Sequence, residues 1–74
     1  MNGFVLICVR YGRFDNDMTR VFDTLEEAQR EMHDQCEDER LRLLASGWPS
    51  SCTYDESSAF VDDIHWVIRE VSNV

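Results

Sequence analysis

The chain has 74 residues and carries 15 acidic against 7 basic side chains, which gives a formal net charge of −8 at pH 7. This length predicts one domain over residues 1–74 and excludes two domains of ordinary size, each of which needs roughly 100 to 200 residues. The acidity argues against direct binding to nucleic acid, because a protein that neutralises phosphates needs a basic patch, so any such link would run through a basic protein partner.

The first predicted element is a β-strand that begins at Phe4 and extends through Tyr11. Its apolar part, Phe4 to Val9, is rich in β-branched residues, which is typical of a strand in the middle of a sheet. No basic residue precedes this short run, and no small-residue cleavage site follows it. It therefore fits neither a signal peptide nor a membrane span.

A second strand is predicted over Met18 to Asp23, joined to the first by a turn over Gly12 to Asp17. The cluster Asp15, Asn16 and Asp17 favours an antiparallel hairpin, because these residue types accept turn conformations. Alternating aspartates also occur in calcium-binding loops, but the glycine and the distant glutamate of such a loop are missing. We expect no metal site here.

A long helix is predicted from Leu25 to Ser46, because the sequence carries signals for both of its ends. Thr24 and Glu27 form a capping box at its start, while Gly47 and Pro49 stop it. Residues at helical spacing place one apolar arc toward the sheet: Leu25, Ala28, Met32, Cys36 and Leu43. The helix is therefore expected to pack through this arc.

The opposite side of the helix carries a row of four carboxylates, called the acidic row below: Glu27, Glu31, Asp34 and Asp38. Their spacing places them in one stripe along the helix. Arg30 and Arg42 are expected to neutralise part of the helix charge through i, i+4 pairs with Glu26 and Asp38. Two interpretations stay open, since the row either binds a basic partner or only keeps the protein in solution.

Leu41 and Leu44 lie off the packing arc near the end of the helix. A helix of about 33 Å is longer than a four-stranded sheet is wide, so its last two turns, with Glu39, are expected to project beyond the sheet. The two leucines are then candidate partner contacts. Alternatively, Trp48 and the loop after it pack against them.

The rest of the chain predicts a loop and a second hairpin. Trp48 to Ser57 has the composition of a loop, and the strands Ser58 to Val61 and Ile64 to Val71 flank Asp62-Asp63. The order of elements is ββαββ. The predicted fold class is α+β, with a four-stranded antiparallel sheet and one long helix packed on one face.

One apolar face of this sheet is expected to have no helix against it. A helix about 10 Å wide covers about two strands, and only on one side of the sheet. Both sides of the first strand are nevertheless apolar: Val5, Ile7, Val9 and Tyr11 alternate with Phe4, Leu6 and Cys8. Three coverings remain open, namely the Trp48 to Ser57 loop, a second copy of the chain in a homodimer, and another protein.

The three cysteines, Cys8, Cys36 and Cys52, are an odd number without a Cys-x-x-Cys pair. This pattern does not match a secreted disulfide framework and favours the reducing host-cell cytoplasm. His33 and Cys36 could share a metal or form an activated thiol, with Cys52 or Cys8 joining them. A buried cysteine beside a boundary histidine is the favoured interpretation, because only Cys36 lies on the packing arc.

Asp62, Asp63 and His65 cluster at the second hairpin, where they could hold a cation or act as acid and base. A charged surface turn is favoured, because nothing nearby supplies a nucleophile, an oxyanion donor or a pocket. We therefore predict that the protein is not an enzyme. The prediction includes no catalytic residue, no metal site and no cofactor.

Several segments together resemble short acidic proteins of phages and mobile elements: Phe4 to Tyr11, Val21 to Gln29, Ser58 to Val61 and Trp66 to Val71. The resemblance covers nearly the whole chain. Among phage proteins of this size and charge, anti-CRISPR and other anti-defence inhibitors are a recurring class, and they often occupy a nucleic-acid groove or block assembly. The resemblance thus implies a protein-binding inhibitor and assigns no site residue.

The leading hypothesis is a non-enzymatic inhibitor that binds a basic, nucleic-acid-handling host or defence protein, such as a CRISPR–Cas component. The acidic row, with Leu41 and Leu44, would contact this partner. Neither direct nucleic-acid binding nor a membrane partner is expected. The alternative is a small homodimeric structural or regulatory protein that uses the uncovered sheet face.

Overall fold

The computed structural model describes residues 2–72 and shows an α+β fold, with one helix packed against one face of an antiparallel sheet. A short 3₁₀ turn, Asn16–Met18, precedes the third strand. The strands are β1 (Asn2–Arg10), β2 (Arg13–Phe14), β3 (Arg20–Phe22), β4 (Thr53–Tyr54), β5 (Ser58–Val61) and β6 (Ile64–Ser72), and the helix α1 is Leu25–Ala45. The α+β class is as predicted.

The sheet is built around the two long strands β1 and β6, which pair antiparallel from Asn2 opposite Ser72 to Arg10 opposite Ile64. The strand order is β2-β1-β6-β5-β4, and β3 also pairs with β1. One edge of β1 pairs with β6. The opposite edge of β1 pairs with β2 and β3, which follow each other along its length. The two long strands therefore position every other element.

The predicted count of four strands is wrong, because the sheet has six strands within residues 2–72. The additional strands β2 and β4 have two residues each and lie in segments whose composition predicts a turn and a loop. β2 arises because Tyr11 and Gly12 both adopt positive φ, at 52° and 81°, and reverse the chain in two residues. This tight turn brings Arg13 opposite Arg10 and precedes the turn that the Asp-Asn-Asp cluster predicts.

The helix ends are confirmed within one residue. The Thr24 hydroxyl oxygen accepts a hydrogen bond from the Glu27 amide and donates to its carboxylate, at 3.2 and 2.9 Å. At the other end, Gly47 has a φ of 83°, and the amide of Trp48 donates to the carbonyl of Leu43 at 2.9 Å. The first two contacts form an N-cap in which Glu27 accepts from the Thr24 hydroxyl, where a full capping box would use the Thr24 amide. The Trp48 contact, together with the Gly47 amide that donates to the Leu44 carbonyl at 3.0 Å, forms a Schellman motif.

The core lies between α1 and the near face of the sheet, and its largest fully buried side chain is Trp66 of β6. The indole Nε1 of Trp66 donates to Oε1 of Gln35 at 2.8 Å, so this polar atom is satisfied inside the core. The predicted packing arc of the helix is confirmed, since Ala28, Met32 and Cys36 are fully buried. Two polar residues, Gln35 and Glu39, are buried on the same side of the helix.

Candidate protein-binding surfaces

The acidic row lies on α1 away from the core, and its four carboxylates differ in how far the protein itself satisfies them. Glu27 is used in the helix cap, while Glu31 accepts from Gln35 at 2.8 Å and lies 3.5 Å from Arg20. Asp34 and Asp38 are exposed and have no hydrogen-bond or ion-pair partner among residues 2–72. These two aspartates therefore hold the charge of the row that remains available to a partner.

The arginines of the helix do not form the ion pairs that the sequence predicts. Arg42 pairs with Glu39 at 2.7 Å instead of with Asp38, and Arg40 pairs with Glu37 at 2.8 Å. No ion pair joins Arg30 to Glu26 in the part of the chain that the structure describes. The physical reason for the Arg42 pairing is the burial of Glu39, whose carboxylate needs compensating positive charge.

Glu39 does not project beyond the sheet, in contrast to the prediction. It is 6% exposed, and its Oε1 accepts from Nη2 of Arg10 at 2.7 Å. Arg10 is the last residue of β1, so this pair joins the middle of the helix to the sheet. The Arg10 guanidinium, assisted by Arg42, holds the pKa of the Glu39 carboxyl below its ordinary value. Glu39 is thus a structural residue.

The end of the helix carries an exposed apolar group, called the apolar end below: Leu41, Leu44 and Trp48. Each of the three side chains is more than half exposed, so Trp48 does not cover the two leucines. Leu41 follows Asp38 by three residues and Asp34 by seven, which places all three on one side of the helix. Charge and apolar area therefore adjoin on a single outward surface.

The far face of the sheet, called the open face below, carries the second large apolar surface. Paired residues point to the same side of a sheet, so the register assigns its members: Val5, Ile7, Val9, Phe14, Val21, Phe60, Val67 and Val71. Phe14 and Val21 are 72% and 71% exposed. The prediction of an apolar sheet face without a helix is thus confirmed for the described residues.

The loop after the helix does not cover the open face. Its side chains contact the helix instead: Tyr54 stacks on His33 with ring centroids 4.0 Å apart and donates to Glu37 at 2.8 Å. Cys52 in the same segment contacts Cys36. Of the three coverings left open by the sequence, the loop is therefore excluded.

The open face also differs from the rest of the surface in charge. Its strand positions include one arginine, Arg69, and one histidine, His65, which stacks on Phe60. None of its strand positions among residues 2–72 is aspartate or glutamate, although the chain has 15 acidic residues. The acidic row and the open face thus lie on opposite sides of the molecule.

The structure separates most of the residues that the sequence suggests as metal ligands or acid–base groups. His33 stacks on Tyr54 and is not joined to Cys36, whereas Cys36 and Cys52 have their Sγ atoms 3.0 Å apart. Asp62 and Asp63 form the tight turn between β5 and β6. Within residues 2–72, no three histidine, cysteine or acidic side chains are grouped so that they could hold a metal ion.

No family model matches the chain, and neither does any curated protein or solved structure. Its function is therefore inferred from the chemistry of its own surfaces. No helix formed by residues 2–72 combines the length and the apolar character needed to cross a bilayer.

Proposed function

We propose that the protein is a non-enzymatic inhibitor of the phage or mobile-element type, which acts by binding a basic protein of the host cytoplasm. The proposed partner handles nucleic acid, as a component of a CRISPR–Cas defence system does. The contact surface is the acidic row together with Leu41 and Leu44 of the apolar end. The observation that carries this proposal is the pair Asp34 and Asp38, which no side chain in the described part of the chain neutralises and which adjoins exposed leucines.

The chemistry of this surface suits a protein that binds phosphates. The four carboxylates extend along about 16 Å of helix, at about 1.5 Å rise per residue. A partner whose basic groove normally follows a nucleic-acid strand would therefore meet a comparable row of negative charge. The buried side of the helix fixes the row in place, which limits the entropy lost on binding. The apolar end adds area that a partner can dehydrate, which charge alone does not provide.

The first prediction concerns Asp34 and Asp38, because replacing them removes charge without removing an internal contact. In Asp34→Asn/Asp38→Asn, the Kd for a basic partner captured from the host should rise about tenfold in low salt, from two weakened charge contacts. Isothermal titration calorimetry at several salt concentrations measures both the Kd and its salt dependence. The salt dependence should decrease together with the affinity.

The matched control is Asp62→Asn/Asp63→Asn, which changes net charge equally but at the β5–β6 turn. Asparagine tolerates the φ of 54° at position 62, so the turn is kept. The control should bind within about twofold of the wild type. Equal losses in both variants would show that only net charge matters, and no loss in either would remove the acidic row from the interface.

The open face favours a second candidate function, that of a small homodimeric structural or regulatory protein in which a second copy covers this face. Strands about 4.8 Å apart and about 30 Å long give the face an area of roughly 500 to 700 Å². This area is somewhat smaller than the roughly 800 Å² that each partner typically buries in a stable complex. A twofold axis would also bring the same apolar face of each copy together, as in other homodimers.

The distribution of charge allows two copies to pack through their open faces despite the net charge of −8 on each chain. Facing copies would bring no strand carboxylates together, since the open face has none in the described strands. The two acidic rows would lie outside, separated by two sheets and two helices at about 10 Å per layer. That distance exceeds the screening length of about 8 Å at physiological salt, so their repulsion is weak.

The second prediction tests this dimer by placing a charge at the centre of the open face. Sedimentation velocity of the wild type should show twice the chain mass of 8.7 kDa at high concentration and the single mass on dilution. Val67→Lys, opposite Ile7 in the register, should remain monomeric at about tenfold higher concentration, because two lysines would be buried together.

Leu41→Lys is the matched control, since it places the same charge on the helix side. It should dimerise like the wild type, and circular dichroism should show that both variants keep their secondary structure. A wild type that stays at 8.7 kDa at every concentration would contradict the dimer. So would a dimer that Leu41→Lys disrupts and Val67→Lys does not.

A further inference from the structure

The fold brings together two cysteines that are sixteen residues apart in the sequence. Cys36 is fully buried on α1, and Cys52 is half-buried in the segment just before β4. Their Sγ atoms are 3.0 Å apart, and the Cys52 thiol also donates to the backbone carbonyl of Cys36 at 3.4 Å. The third cysteine, Cys8, is buried on β1 and makes neither contact.

We propose that Cys36 and Cys52 form a redox site, which closes to an intramolecular disulfide when it meets a small-molecule disulfide of the glutathione type. Two thiols in contact need only about 1 Å of further approach to reach the bond length of about 2.05 Å. Cys52 precedes the two residues of β4, in a stretch without helix or strand pairing. This approach therefore breaks no hydrogen bond of the sheet ladder.

The surroundings give the two cysteines different roles. Cys52 is the less buried of the two and is therefore the thiol that attacks the small-molecule disulfide, whereas Cys36 is fully buried and follows as the resolving thiol. The Cys36 thiol donates toward Sγ of Cys52, so the two sulfur atoms already face each other. Burial raises the pKa of Cys36, so this thiol stays protonated until it reacts.

The exchange balances without any other oxidant. The Cys52 thiolate attacks one sulfur of the small disulfide, forms a mixed disulfide and expels one thiolate, which takes the proton that Cys52 lost. Cys36 then loses its proton and attacks Sγ of Cys52, and the second thiolate leaves with that proton. Two electrons pass from the cysteines to the small molecule, which ends as two thiols.

The bond would join the middle of α1 to the edge strand β4. This segment is held to the helix by the stacking of Tyr54 on His33 and by its hydrogen bond to Glu37. A covalent closure of the loop between the two cysteines removes conformational freedom from the unfolded chain. The oxidised protein should consequently be more resistant to heat, with its binding surfaces unchanged because Cys52 lies on neither of them.

The third prediction is tested on the folded full-length chain, incubated with oxidised glutathione and compared with the same protein in a reducing buffer. Mass spectrometry should show a loss of about 2 Da and one thiol left for alkylation, and peptide mapping should join Cys36 to Cys52. Tm should rise by roughly 10 °C and return on reduction. The variant Cys8→Ala should behave in the same way, because Cys8 takes no part.

Cys52→Ser is the matched variant, since its hydroxyl can keep the hydrogen bond to the Cys36 carbonyl. It should show neither the loss of mass nor the rise in Tm. Persistent glutathionylation of Cys52 in the wild type would overturn the proposal, because it would show that Cys36 cannot resolve the mixed disulfide. Disulfide-linked dimers, a bond to Cys8, or three alkylatable thiols after oxidation would overturn it as well.

Discussion

Arg10→Met should cost about 3 kcal/mol of the free energy of unfolding at pH 7, the expected penalty for leaving a buried charge without its partner. Glu39 is buried, and Arg10 provides its closest contact with the sheet, at 2.7 Å. Arg42 still pairs with Glu39, but its side chain is 69% exposed and cannot replace a partly buried guanidinium. Urea unfolding followed by circular dichroism measures the difference.

Two further variants show whether the loss comes from the unpaired charge. Arg10→Met/Glu39→Met removes both members of this pair and should recover most of the stability lost with it, because apolar groups replace a buried pair at little cost. The contact of Arg10 with Asp15, at 3.2 Å, is absent from both variants and so cancels between them. Arg20→Met breaks the exposed pair with Glu31 and should change stability by less than about 1 kcal/mol. Equal losses in Arg10→Met and Arg20→Met would contradict the assigned role of Glu39.

The stability that the Arg10–Glu39 pair contributes depends on pH, and the lowered pKa of Glu39 sets the direction of this dependence. Arg10 holds the folded-state pKa of Glu39 below its ordinary value of 4.5, so the pair's contribution is present above that value. It is lost as the pH falls through the lower, folded-state pKa. The stability difference between wild type and Arg10→Met should therefore be largest near neutral pH and should shrink in acid, where Glu39 becomes neutral.

The parts of the fold that the sequence predicts correctly are those with local causes. The helix bounds follow from Thr24, Glu27 and Gly47, which act within one turn of the helix ends. The strand Ser58–Val61 matches its predicted bounds, because the consecutive apolar residues Ala59 to Val61 and the Asp-Asp turn define it. The uncovered sheet face was also predictable, since one helix is too narrow for a sheet that is apolar on both sides.

The parts that could not be predicted depend on contacts between distant residues. Glu39 and Gln35 look misplaced on an apolar arc until the fold supplies Arg10 and Trp66 as their partners. The approach of Cys52 to Cys36 depends on how the loop returns along the helix, which no spacing in the sequence encodes. Similarly, β2 requires a positive φ at Tyr11, a conformation that side-chain type disfavours.

Trp66→Ala should abolish cooperative unfolding altogether. Trp66 is the largest fully buried side chain, and removing such an aromatic group from a core costs about 3 to 5 kcal/mol. A core from a chain of this size contributes a net stability of about the same amount. Thermal and urea unfolding monitored by circular dichroism should therefore show no sigmoidal transition.

The more conservative Trp66→Phe separates the loss of volume from the loss of the hydrogen bond. It should leave Gln35 without the Nε1 donor and cost about 1 to 3 kcal/mol, because a buried acceptor loses its partner. Trp66→Phe/Gln35→Leu removes the unsatisfied Oε1, and it also removes the hydrogen bonds that the Gln35 amide nitrogen donates to Met18 and Glu31. Gln35→Leu alone measures the cost of those two bonds, so the double variant should be more stable than the sum of the two single losses predicts. If the two losses simply added, the hydrogen bond between Trp66 and Gln35 would not be the cause.

Phe60→Ala is the matched aromatic truncation on the other side of the sheet, where Phe60 is partly exposed on β5. In a monomer it should cost clearly less than Trp66→Ala, about 1 kcal/mol, because Phe60 keeps 45% of its surface exposed to water. In a dimer it should cost more as protein concentration rises, since the open face is then buried. The stability of Phe60→Ala at two protein concentrations therefore distinguishes a solvated face from a covered one, while Trp66→Ala should prevent folding at both.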